Sequence, residues 1–92
     1  MENSLRTRAK EFFAITPSDS ALISADENNT KQISSVFLKN NTDAALNVKV
    51  DTAGGSTGVV YIPAGYIEPL EVVKVYSTGG DTLAEGDLLG YY

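Results

Sequence analysis

Leu46-Asn47-Val48-Lys49-Val50-Asp51 alternates apolar and polar side chains without a break. A strand sends successive side chains to opposite faces. The hexapeptide therefore reads as a half-buried strand, with Leu46, Val48 and Val50 inward. A helix would need apolar residues at three- and four-residue spacings, which this stretch lacks. The same reading extends both ways along the chain. Upstream, Ile33 to Lys39 forms a strand, and Asn40-Asn41-Thr42-Asp43 supplies a hairpin loop. Downstream, Gly54-Gly55-Ser56-Thr57-Gly58 is a turn and Val59 to Ile62 a short strand. Pro63-Ala64-Gly65 then makes a tight turn, with proline at its second position and glycine at its fourth.

The longest β-rich run is Ile67 to Ser77, where Val72, Val73, Val75 and Tyr76 supply branched and aromatic side chains. Pro69 has no N–H for a ladder, which confines the start of that run to an edge or a bend. Strict alternation would put Leu70, Val72 and Tyr76 on one face and Val73 and Val75 on the other. One face would then meet the core and the other a neighbouring subunit. Thr78-Gly79-Gly80-Asp81 is a further turn, and Leu88-Leu89-Gly90-Tyr91-Tyr92 a strand paired in the sheet, because a terminal tyrosine pair belongs against other residues.

At the other end, Phe12 to Ile15 is a short strand closed by Thr16-Pro17-Ser18-Asp19. Residues 18–31 are a polar loop with Asp26-Glu27-Asn28-Asn29 at its tip. Residues 1–11 read as an arm carrying Arg6, Arg8 and Lys10, either a frayed end or a segment that docks on an acidic neighbour. The tally is about six short strands with no helical periodicity, the pattern of an all-β fold, a small antiparallel β-sandwich or barrel. A single β domain over 12–92 follows the arm.

Ninety-two residues bury a small core, and extra stabilisation from disulfides, metal or oligomerisation helps domains of this size. Cysteine and histidine are both absent, which removes disulfides and nitrogen- or sulfur-liganded metal sites and leaves oligomerisation. A net charge of −5 argues against a nucleic-acid partner, since phosphate contacts need clustered Lys and Arg. The opening residues lack the apolar core of a secretory signal, and no run approaches the roughly 20 apolar residues of a membrane span. The expectation is a protein made in a cytosol-like compartment with no membrane partner. Asn28-Asn29-Thr30 and Asn40-Asn41-Thr42 match the glycosylation pattern but read as turn residues.

Acid–base or nucleophilic catalysis at neutral pH would have to work without His or Cys, and the carboxylates lie scattered in turns. No enzyme activity and no cofactor are expected. Asp26-Glu27-Asn28-Asn29 and the set Asp81, Glu85 and Asp87 are acidic, yet neither follows the calcium-loop spacing, and both read as solvated loops. Gly54 to Gly58 lacks the Lys-Ser/Thr ending of a phosphate-binding loop. Tyrosine is the one enriched interaction residue, at Tyr61, Tyr66, Tyr76, Tyr91 and Tyr92. Its default role is core or subunit contact.

Phe13-Ala14-Ile15-Thr16-Pro17-Ser18-Asp19, and Ile62-Pro63-Ala64-Gly65-Tyr66-Ile67-Glu68-Pro69-Leu70 through Ser77-Thr78-Gly79-Gly80-Asp81-Thr82 to the terminal tyrosines, resemble a family of small virion proteins. These are the head-spike base and capsid decoration (cement) proteins of tailed phages and gene transfer agents. The chain departs from that pattern at Gly79-Gly80, where the family often has Gly-Thr, and in a longer 18–31 loop. The resemblance implies a β-barrel or jelly-roll-like module, made in the host cytoplasm, that oligomerises as a trimer or pentamer on the outer capsid surface. Its partners would be the major capsid protein and its own copies, contacted through Arg6, Arg8, Lys10, Tyr76, Tyr91 and Tyr92. The alternative is a carbohydrate-binding or adhesion module of a phage tail or fibre, with Tyr61, Tyr66 and Tyr76 as its platform.

Overall fold

Six strands form one antiparallel sheet: β1 (Phe12–Ala14), β2 (Val36–Asn40), β3 (Leu46–Thr52), β4 (Thr57–Ile62), β5 (Ile67–Val75) and β6 (Leu88–Tyr91). They are seen in a computed structural model that describes residues 11–23 and 35–92. The all-β reading holds, and among these residues no helix is long and apolar enough to cross a membrane. Strand order in the sheet is β1-β6-β2-β5-β3-β4.

The long β5 determines the shape. Its first half pairs with β2, Ile67 opposite Lys39 and Val72 opposite Val36, while its second half pairs with β3, Lys74 opposite Asp51 and Val75 opposite Val50. Both registers slip, the first between Val36 and Leu38 and the second between Asp51 and Thr52, and in each case the extra residues lie on β5. Extra residues on one strand bend it and sharpen its twist. Pro69 lies inside the first irregularity, where its missing N–H leaves no gap in a regular ladder.

The bend folds the sheet over its own inner face. Val48, Val50, Ile62 and Val75 from the β4-β3-β5 half share one core with Ile15, Val36, Leu38 and Leu88 from the β5-β2-β6-β1 half. Val72 sits at the bend and Leu83 joins from the β5–β6 connection. Each Val, Leu or Ile buried in this way contributes about 1.5–3 kcal/mol relative to exposure. The chain after β1 closes the remaining side. Ile15 bonds to β6 through the Leu88 carbonyl (2.9 Å), and the N–H groups of Ser18 and Ile23 then donate to the Val75 (2.9 Å) and Val73 (3.0 Å) carbonyls of β5.

Three local readings change. The bulge at Val73 shifts the side-chain phase, so Val72 and Val75 both enter the core and do not take opposite faces. Residues 40–43 are no hairpin loop, because β2 pairs with β5 and β6 but not with β3. The connection instead crosses from one half of the folded sheet to the other. The 63–66 turn is framed one residue later than expected. Tyr66 N–H donates to the Pro63 carbonyl at 3.1 Å, which makes proline first and Gly65 third, at φ 76°. Val48 and Val50 are buried and Leu46 half-buried, as their alternation requires.

Candidate functional site

The polar side chains of this fold mostly hold loops together. Asn40 is fully buried at the end of β2. Its Nδ2 donates to the carbonyls of Ala44 (2.7 Å) and Ile62 (2.9 Å), and its Oδ1 accepts from Thr42 N–H (2.9 Å) and Thr42 Oγ1 (2.7 Å). Its own backbone pairs with Tyr66 and Gly65. One amide thus ties the β2–β3 connection to the β4–β5 turn, both of which cross between the halves. An amide so enclosed is no glycan acceptor in the folded protein, and Asn40 is a buried strand-end residue where a turn residue was expected.

Asp19 does the same at the other closure. Its carboxylate accepts from Thr78 Oγ1 (2.7 Å), Ser77 N–H (2.9 Å), Thr78 N–H (3.1 Å) and Ser77 Oγ (3.1 Å). These bonds, with the Thr78 hydroxyl foremost, hold its pKa below the usual 3.8. The two segments on which the virion resemblance rests therefore meet in space. Asp81 accepts from Asn47 N–H (2.9 Å) and Asp87 from Ala84 N–H (2.9 Å), so both serve as backbone partners. Among the described residues no group of acidic side chains is arranged to hold a metal ion. Asp26 to Asn29 lie outside those residues.

The outer face of β4, β3 and β5 carries the densest set of interacting side chains. Register places Thr57, Asp51 and Lys74 in one row across it and Val59 beside Lys49 in the next, with Tyr76 extending that row just past the end of β5. Asp51 accepts from Thr57 Oγ1 (2.6 Å) and from Tyr76 Oη (3.1 Å to each oxygen). Lys49 and Lys74 lie over the Tyr76 ring at 4.6 and 4.4 Å. The Thr57 hydroxyl first, then Tyr76 and the two lysines, lower the pKa of Asp51 against the opposing effect of burial. This cluster of two cations, one anion and one ring is satisfied within the chain.

Exposed apolar side chains stand at strand edges, at one turn and at Leu22 (69% exposed) in the segment after β1. Val59 (53% exposed) and Tyr61 (63%) point outward from β4, Tyr66 (64%) and Ile67 (49%) stand at the turn into β5, and Phe12 (64%) lies on β1. Of the residues expected to contact partners, Tyr91 stacks on Phe12 at 5.8 Å and Tyr92 meets Phe13 edge-on at 5.7 Å, both half-buried. Tyr76 packs instead on β3, so the tyrosines form two separate groups. Arg6, Arg8 and Lys10 lie outside the described residues. The sequence reading missed the β4 edge as a surface of its own, although Gly58-Val59-Val60-Tyr61-Ile62, uncharged and β-prone, carried the signal. Comparisons with known protein families, with curated proteins and with solved structures found no match to this chain.

Proposed function

We propose that this chain is a non-enzymatic virion structural protein, a capsid decoration (cement) or head-spike base subunit that binds the outer capsid surface and its own copies. The observation that carries the reading is the division of labour on its surface. Asp19, Asp51, Asp81 and Asp87 are taken up on the surface as hydrogen-bond acceptors within the chain, while uncovered apolar side chains stand at the sheet edges, at the β4–β5 turn and at Leu22. Such a surface offers contact area to other proteins.

Placement on a capsid rests on the resemblance of residues 13–19 and of about the last thirty residues, from Ile62 to the terminal tyrosines. Those residues include the Asp19 staple and the turn held by Asn40, so the resemblance speaks first to how the sheet closes and through that to the family. Co-sedimentation of the full chain with tailed-phage capsids tests the proposal. Saturable binding at defined copy number is expected, and a monomer that stays in the supernatant at every salt concentration overturns it.

A second reading, a glycan-binding module, draws on the exposure of Tyr61 and Tyr66. Saturable binding on a glycan array, lost on Tyr66→Ala, would favour it over the first.

A further inference from the structure

Strand β4 is bonded on one side only, and the ladder geometry determines which of its backbone groups face outward. Thr52 N–H donates to the Ser56 carbonyl at 2.8 Å, which makes 52/56 a hydrogen-bonded pair of the β3–β4 hairpin. Hydrogen-bonded and non-bonded pairs alternate in an antiparallel ladder, so 50/58, 48/60 and 46/62 are bonded pairs as well. Independent bonds agree. The carbonyls of Asn47 and Lys49 turn away from β4 to accept from Asp81 N–H (2.8 Å) and Tyr76 N–H (2.9 Å). Thr57, Val59 and Tyr61 therefore aim their N–H and C=O groups at the open edge, and no described strand lies beyond it.

We infer that β4 pairs with β4 of a second copy, antiparallel, about a two-fold axis at Val59. In that register Val59 faces its own copy and Thr57 faces Tyr61 of the other chain, so the outward-aimed groups of all three residues meet their complements. The row is self-complementary, as an isologous contact requires. On the outer face the pairs are valine with valine and threonine with tyrosine, combinations that favour sheets. Charge permits the contact. Residues 57–62 carry none, and Lys49, one strand in, would lie about three strand spacings or roughly 14 Å from its copy, beyond the Debye length of about 8 Å. The edge also lacks the lysine, proline or bulge that commonly blocks such pairing. A six-residue edge is small against a standard interface of about 800 Å² per partner, which makes this a weak, concentration-dependent contact.

This contact closes at two copies, so it is separate from any three- or five-fold contact and does not rest on the capsid reading. The chain has no cysteine, so a single Val59→Cys substitution in the full chain reports the register directly. Bonded antiparallel pairs lie about 5.5 Å apart at Cα, within disulfide reach. Val59→Cys should cross-link at least about tenfold faster under mild oxidation than Ala53→Cys in the adjacent exposed turn. Thr57→Cys and Tyr61→Cys should each fail to form homodimers but cross-link when mixed. Val59→Pro removes an N–H that faces the open edge, not β3, and should weaken self-association by more than about tenfold with the fold retained by circular dichroism. Val59→Lys serves the same purpose if the proline variant misfolds. A Val59→Cys rate no higher than the Ala53→Cys control, or self-association unchanged by Val59→Pro and Val59→Lys, overturns the pairing and leaves the capsid proposal standing. Homodimers of Thr57→Cys would indicate a parallel alignment or a different antiparallel register and overturn it too.

Discussion

Asn40 and Asp19 show how much of this fold hangs on single polar side chains. Removing the Asn40 amide takes a donor from the Ala44 and Ile62 carbonyls and the acceptor from the Thr42 N–H and hydroxyl, while Thr42 Oγ1 still donates to the Ala44 carbonyl at 2.8 Å. Each lost bond costs about 0.5–1.5 kcal/mol, and more where a group is left unpaired. Asn40→Ala should therefore lower stability by about 3 kcal/mol in urea denaturation, with an unchanged m-value. A loss well under 1 kcal/mol would show that the bonds are dispensable. Asp19 gives a pH signature. Its pKa in the folded chain is depressed below 3.8, so its stabilising contribution is complete above that unfolded value and is lost as pH falls through the folded one. Asp51 behaves in the same sense. Asp19→Asn should flatten the decline of melting temperature on the acid side of pH 3.8 while lowering the melting temperature at neutral pH. An acid-side slope identical to that of the parent protein would contradict the assignment.

At the scale of elements, β5 and the glycine loops decide the architecture. Gly80 lies against β3, where an added Cβ would come within 2.5 Å of the Asn47 carbonyl oxygen, a backbone atom with little room to give. Gly58 in β4 has open space around the same position and ordinary backbone angles. Gly80→Ala should therefore destabilise by about 1–3 kcal/mol, while Gly58→Ala should be neutral or stabilise by up to about 1 kcal/mol. Equal effects in thermal melts would refute the close packing of the 77–81 loop on β3. The same elements mark where the sequence was legible. Alternation in residues 46–51 gave β3 and its buried face, and the terminal Tyr91-Tyr92 correctly marked β6 as a paired strand, because both signals are local. The phase of β5 was not local. A bulge adds residues without leaving a mark in the hydrophobic pattern, so Val72 and Val75 looked opposed until the pairing with β3 was seen. Asn40 was equally opaque, since Asn-Asn-Thr-Asp reads as a surface turn. Only the approach of Ile62 and Ala44 from distant and near parts of the chain makes it a core residue.

At the scale of the whole molecule, the described residues form a single sheet bent at β5 and closed by the segment after β1, and its exposed large apolar side chains stand along strand edges, at the β4–β5 turn and at Leu22 in the closing segment. A small cysteine-free domain gains stability by covering such surface with other copies, which lifts its melting temperature with concentration. The candidate surfaces were legible only in part. Tyr91 and Tyr92 were singled out and lie half-buried on β1, whereas the β4 edge emerged from ladder geometry, which residue type alone does not disclose. Assembly of this chain with its own copies is the decisive property, and native mass spectrometry of the full chain over a range of concentrations measures it. The predicted result is a discrete ring of three or five copies that survives Val59→Pro, together with a doubled mass that the substitution removes. A monomer at every concentration would contradict it.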